Sequence, residues 1–192
     1  KMPVFLQRNI DQNTQIAIWK MSETVEELLK SGIAIPKNIK SNKRHKEWIC
    51  IRLLLKQVAP KTNIRYNKHG APTLSDGRAI SISHSNDYCA FLISKHIAAL
   101  DLELVNTKAD RLKEQFIKKE EEKLITNTES STLLWCAKEC LFKIHQQGNL
   151  IFKEDLIVKK IENNFIYASL KNTYYTLHFE KFENYFIVYY FE

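Results

Sequence analysis

The sequence predicts an α+β protein. Three patterns carry that prediction: apolar residues at helical spacing between 41 and 57, short alternating runs between 79 and 104, and a C-terminal series of short apolar runs separated by turn residues. Elements run helix, strands, helices, strands. They divide near Lys95–Ala99 into an N-terminal half, 1–96, and a C-terminal half, 97–192.

The first expected strand is Gln15 to Lys20, which alternates. Glu23 to Leu29 reads as a helix with Ser22 as its cap. Ser41 caps a longer helix through Gln57, with Trp48, Ile51, Leu54, Leu55 and Val58 on its apolar side and Lys43, Arg44, Lys46, Arg52 and Lys56 on its exposed side. Gly70-Ala71-Pro72 and Ser75-Asp76-Gly77 are turn clusters. Strands follow at Ala79–Ser83, Tyr88–Ser94 and Ile97–Leu104. A charged helix is then expected over Thr107–Ile125, and another from Ser130 or Ser131 to about His145. Runs near Leu156–Ile161, Phe165–Leu170, Tyr174–Phe179 and Tyr185–Phe191, with turn signals at Asn163-Asn164 and Lys171-Asn172, read as an antiparallel meander.

Composition narrows the function classes. The 192 residues are 44% hydrophobic, enough for a real core, and four Gly and four Pro exclude collagen-like and Pro/Gly-rich disordered chains. A net charge of +7 favours an acidic partner (nucleic acid, an anionic membrane, a phosphorylated cofactor or an acidic protein) or simply gives a solvated basic surface. Cys50, Cys89, Cys136 and Cys140 form no C-x-x-C pair, and a zinc site around Cys136 and Cys140 would find only His145 close in sequence. With no secretory signal in the sequence, free thiols in a reducing cytoplasm are expected. No apolar run is long enough to span a bilayer. A P-loop, a G-x-G-x-x-G fingerprint and a G-x-S-x-G elbow are all absent.

Three short segments carry candidate chemistry. In Leu100-Asp101-Leu102-Glu103-Leu104 a strand puts three leucines on one face and two carboxylates on the other, which makes either a solvated acidic edge or oxygen ligands for a hard cation. In the segment from Leu134 to Lys143 a helix stacks Trp135, Glu139 and Lys143 on one face, beside an apolar stripe of Leu134, Ala137, Leu141 and Ile144. Glu139 and Lys143 are then a surface ion pair, or a metal ligand or base beside a phosphate-binding cation. Ile80 to Asp87 places Ser83, His84 and Ser85 where a strand is expected to end, which is either a hairpin with a turn histidine or a phosphate-holding corner.

Together and in this order, the segments resemble the Sfp-type branch of the 4′-phosphopantetheinyl transferase superfamily, over roughly residues 40 to 160. The family's basic helix is matched by Lys43 to Leu55, its G-K-P turn by Gly70-Ala71-Pro72 and its S-H-S strand end by Ser83-His84-Ser85. Its G-[IV]-D-[IV]-E strand is matched by Ala99 to Glu103, its F-F-S-x-x-E segment loosely by Phe116 to Glu121, and its W-x-x-K-E-x-x-x-K helix by Trp135 to Lys143. The resemblance implies two pseudo-symmetric α/β halves with the site at their interface. It implies a magnesium ion held by Asp101, Glu103 and Glu139 on the pyrophosphate of coenzyme A. Glu139 would take the proton of a carrier-protein serine, Lys143 would neutralise phosphate charge, and His84 and Ser83 would contact the nucleotide end. Arg44, Arg52, Lys68, Gly70 and Pro72 are further candidates for binding coenzyme A. The implied partners are coenzyme A and an apo acyl or peptidyl carrier protein, with no nucleic acid and no membrane, and a monomer is expected.

Three positions depart from the family. Ala99 replaces a glycine, Ala71 replaces the lysine of G-K-P, and Asn86 replaces the glycine after S-H-S. The metal and lysine positions are intact, so an active enzyme with altered coenzyme A affinity is expected. The competing expectations are a basic nucleic-acid-binding module, and a weakened relative that binds coenzyme A or a carrier without turnover.

Overall fold

A computed structural model of the chain describes residues 4–146 and 149–192. It is an α+β structure that divides into two compact units, Lys1–His96 and Ile97–Glu192.

In unit 1, strands β1 (Val4–Asn9), β2 (Gln15–Lys20), β3 (Ile64–Tyr66), β4 (Pro72–Leu74), β5 (Ala79–Ser85) and β6 (Tyr88–Ser94) form one antiparallel sheet in the order β1-β2-β6-β5-β4-β3. Helix α1 (Val25–Leu29) is a single short turn, and α2 (Asn42–Val58) packs on β2 and β6. Burial of Ile49, Leu54, Trp19, Phe91 and Ile93 joins α2 to the sheet. Ser41 starts α2 because its hydroxyl accepts from the Arg44 amide at 3.3 Å. Helix α1 begins later than the sequence predicts. Thr24, not Ser22, is its cap, since Thr24 and Glu27 satisfy each other's backbone amides in a capping box. β5 also runs on through His84 to Ser85, so the histidine lies within the strand, and the reversal falls at Asn86, which takes a left-handed φ of 48°.

In unit 2, β7 (Ala98–Leu104), β8 (Leu156–Glu162), β9 (Phe165–Leu170), β10 (Thr173–Phe182) and β11 (Tyr185–Phe191) form a second antiparallel sheet in the order β7-β11-β10-β9-β8. The meander is as expected, and β7 joins its far edge by pairing with β11 from Ala98↔Phe191 to Leu104↔Tyr185. Helix α4 (Thr128–His145) lies on this sheet, burying Leu134, Ala137 and Leu141 against Ile166, Leu177 and Val188. Asn127 caps it, not Ser130 or Ser131. The Asn127 side chain accepts from the Ser130 amide at 2.9 Å and Ser130 Oγ accepts from the Asn127 amide at 3.0 Å. A short helix, α5 (Phe152–Asp155), precedes β8.

The long helix expected over Thr107–Ile125 is two pieces. Helix α3 (Lys108–Phe116) stops at Ile117, whose backbone is extended, and a 3-10 helix (Lys119–Leu124) follows. The break turns Glu121 inward. Its carboxylate meets Lys138 of α4 at 2.7 Å with both side chains 0% exposed, and it also accepts from the Lys118 and Val158 amides. Lys138 donates besides to the Phe116 carbonyl. A continuous helix would leave this lysine buried without its counterion, which costs more than a broken helix.

The four cysteines are free and buried. No helix among the described residues is long and apolar enough to cross a membrane.

Replacing Lys138 with Met is expected to lower the unfolding free energy by about 3–5 kcal/mol, because Glu121 stays buried without its partner. Urea unfolding measures this, and a loss below about 1 kcal/mol would mean that the pair does not lock α4 to the 3-10 helix.

Candidate functional site

Unit 2 brings together the acidic strand and the helix expected to face it. β7 alternates, so Ala99, Asp101 and Glu103 share a face, and that face carries α4. Trp135, Glu139 and Lys143, one turn apart on α4, run along it. The Trp135 ring is fixed edge-on to Phe116, with centroids 5.0 Å apart, and stacked on Phe152 at 5.7 Å. This aims its Nε1–H at Glu103 Oε1, 3.0 Å away. Lys143 Nζ donates to Asp101 Oδ1 and to the Leu100 carbonyl, both at 2.8 Å. Ala99 is 0% exposed within the core that holds α4, so its methyl is packed there.

The electrostatics follow from this crowding. Burial, then the charge on Asp101, pushes the Glu139 carboxyl up to about 7; Lys143 works against the rise and Glu103 adds to it. Lys143 shows the opposite balance. Burial pulls its ammonium down, but Asp101 and Glu139 outweigh that and its pKa lies above the ordinary lysine value. Lys108, at the start of α3, also acts on Glu139 and sits 5.6 Å from the Trp135 ring; it was not singled out from the sequence.

The donor chemistry of Asp101, Glu103 and Glu139 fits a hard divalent cation, since all three offer carboxylate oxygens and together carry more negative charge than Lys143 offsets. As they stand, Asp101 is tied to Lys143 and Glu103 to Trp135. Among the described residues, no three His, Cys, Asp or Glu groups are gathered closely enough to hold an ion in this arrangement.

Unit 1 holds a cavity of about 410 Å³ lined by Arg44, Glu47, Trp48, Arg52, Tyr66 and His84, among others. The Arg52 guanidinium lies 3.1 Å over the Trp48 ring, and Trp48 stacks with Tyr66 at 6.2 Å and 16°. Ile82 and His84 share the β5 face that lines the cavity. Of the residues expected to bind coenzyme A in this half, the cavity gathers Arg44, Arg52 and His84. It does not gather Lys68, Gly70, Pro72 or Ser83. Ser83 is buried on the opposite face of β5. Lys68 is exposed in a turn held by Asn67, whose side chain accepts from the His69 and Ala71 amides at 2.8 and 3.0 Å. Gly70, with φ 80°, and Pro72 shape that turn. With Ala71 in place of lysine, the turn offers structure and no cation at that position.

No protein-family model matches the chain, and no curated protein matches it in sequence.

The raised Glu139 pKa gives a signed pH dependence. The folded state holds the proton more tightly than the unfolded chain, so the stability contribution is complete below the ordinary value of 4.5 and is lost as pH rises through about 7. The full span is on the order of 3 kcal/mol. Glu139→Gln, neutral at every pH, is therefore expected to be more stable than wild type at pH 8 and to match it at pH 4. Urea unfolding across that range checks this, and equal stability at pH 8 would show that Glu139 carries no such penalty.

Proposed function

We propose that the chain is a magnesium-dependent transferase that moves the 4′-phosphopantetheine arm of coenzyme A onto a serine of an apo acyl or peptidyl carrier protein, releasing adenosine 3′,5′-bisphosphate. We read the two units as the pseudo-symmetric halves of a phosphopantetheinyl transferase fold, acting as a cytoplasmic monomer.

The observation that carries the reading is the arrangement of Asp101 and Glu103 on the β7 face that carries α4, with Glu139 and Lys143 one helical turn apart on that helix and the Lys143 ammonium 2.8 Å from Asp101 Oδ1. Phosphoryl-type transfer needs little covalent chemistry from a protein. It needs positioning and compensation of charge on oxygen. Asp101, Glu103 and Glu139 would hold the magnesium, which supplies charge neutralisation on the pyrophosphate. Holding it requires Asp101 and Glu103 to exchange their contacts with Lys143 and Trp135 for the cation. With Asp101 so engaged, the Lys143 ammonium, still held by the Leu100 carbonyl, would be available to a phosphate oxygen. Glu139, ionised once it holds the cation, would accept the serine proton directly or through a bound water. The unit 1 cavity, with guanidinium groups and flat aromatic faces, suits a purine nucleotide carrying phosphate.

The test incubates an apo-carrier protein with coenzyme A, magnesium and this protein, followed by mass spectrometry of the carrier. A gain of one phosphopantetheine arm is expected, falling by at least about a hundredfold in rate for Asp101→Ala and Glu139→Ala. Transfer that persists at full rate in excess chelator would contradict the metal assignment, and no transfer to carriers of fatty-acid, polyketide or peptide synthesis would contradict the activity.

A further inference from the structure

Helix α2 is basic along its exposed length, and Glu47 is its one acidic residue. It is also the residue the function above leaves unused. Its side chain is 5% exposed, although the side chains around it are open to water, with Arg44 60% and His84 33% exposed. A carboxylate in that position is costly unless cations or donors meet it. Two groups from two different elements do. Arg44 Nη1 donates to Glu47 Oε2 at 2.9 Å, and His84 Nδ1 of β5 lies 3.3 Å from Glu47 Oε1. Lys43 stands farther off, at 4.0 Å.

The contacts also fix the histidine's proton. Arg44 Nη1 lies 2.8 Å from His84 Nε2. A guanidinium only donates, so Nε2 accepts, and the ring hydrogen is on Nδ1, directed at Glu47. Arg44, His84 and Glu47 thus close a three-membered ring of contacts at the wall of the unit 1 cavity, which all three line. Glu47 holds the imidazole by the nitrogen away from Arg44. When Arg44 turns to a ligand anion, Nε2 is left aimed at the same place, able to take a proton and donate, with Glu47 behind it to stabilise the imidazolium.

We propose that Glu47 is a positioning residue that holds Arg44 and His84 as one anion-binding pair, so that the cavity takes the phosphate-bearing end of a nucleotide. The proposal rests on the transferase reading for the identity of the ligand, but its residues and its test are separate. The Glu47 charge by itself would repel an anion. Positioning and repulsion therefore predict opposite signs for Glu47→Gln, which keeps the shape and removes the charge.

The test is calorimetric titration with adenosine 3′,5′-bisphosphate. Wild type is expected to bind, and Glu47→Gln to bind at least about tenfold more weakly, the usual consequence of losing a hydrogen bond to a charged group. Glu47→Asp, which withdraws the carboxylate by one methylene, should fall between them. In an Arg44→Ala, His84→Ala background, Glu47→Gln should no longer weaken binding and should tighten it, since only the repulsion by the carboxylate is then removed, an outcome that a purely structural role in α2 would not give. Unchanged or tighter binding by Glu47→Gln alone, or a wild type that does not bind the nucleotide, overturns the proposal. In the transfer assay Glu47→Gln should raise KM for coenzyme A about tenfold and leave kcat within about twofold. A wild type that binds the nucleotide but transfers no arm removes the activity and leaves Glu47 in its role. Transfer with an unchanged KM in Glu47→Gln does the reverse.

Discussion

Three carboxylates on two packed elements cannot all be charged at small cost, and unit 2 is arranged around that constraint. Asp101 and Glu103 come from β7 by strand alternation, and Glu139 comes from α4 lying on the same face. Lys143 answers one of the three charges through Asp101, and the Trp135 indole donates to a second. Burial first, and then the charge on Asp101, hold the proton of Glu139 well above the ordinary carboxylate range. An apolar side chain at any of these positions would relieve the crowding. A tolerated electrostatic cost of this kind marks a candidate functional site, and the proposed transferase chemistry rests on it.

The neighbouring residue on α4 shows how the rest of the unit supports that tension. Lys138, next to Glu139 in sequence, is buried on Glu121. Adjacent residues thus make two different uses of charge. Lys138 and Glu121 satisfy one another fully and fix α4 against the 3-10 helix, while Glu139 is left incompletely compensated on a helix that cannot shift to escape. The same contrast holds in unit 1, where Glu47 is buried and held by Arg44 and His84 beside a cavity in which Arg52 lies on an aromatic ring.

The elements most legible in the sequence were those whose local signals agreed with their packing. Helix α2 has a serine cap and a long apolar stripe, β9 is bounded by turn residues and β11 is a single aromatic and β-branched run, so their extents follow from pattern alone. The helix over 107–125 was misjudged because its charged residues suit a helix locally, while its shape is set by Glu121 reaching a lysine far along the chain. β3 and α5 are too short to carry a period, and the turn at Glu183 uses a left-handed residue, φ 47°, that composition does not flag. In the site, alternation in β7 and the four-residue spacing in α4 identify the facing carboxylates, indole and lysine. Glu47 was not legible, because one acidic residue in a basic amphipathic stretch reads as a solvated ion pair until β5 is seen to bring His84 onto it.

Protonation of Glu139 is the property on which the unit 2 site most directly depends. Carbon-13 NMR of its side-chain carboxyl, titrated against pH with and without magnesium, reads it directly. The carboxyl should titrate near 7 in the metal-free protein and move down by at least about two units when magnesium is added. A metal-free value at the ordinary 4.5 that magnesium leaves in place would mean that the three carboxylates neither crowd one another nor share a cation.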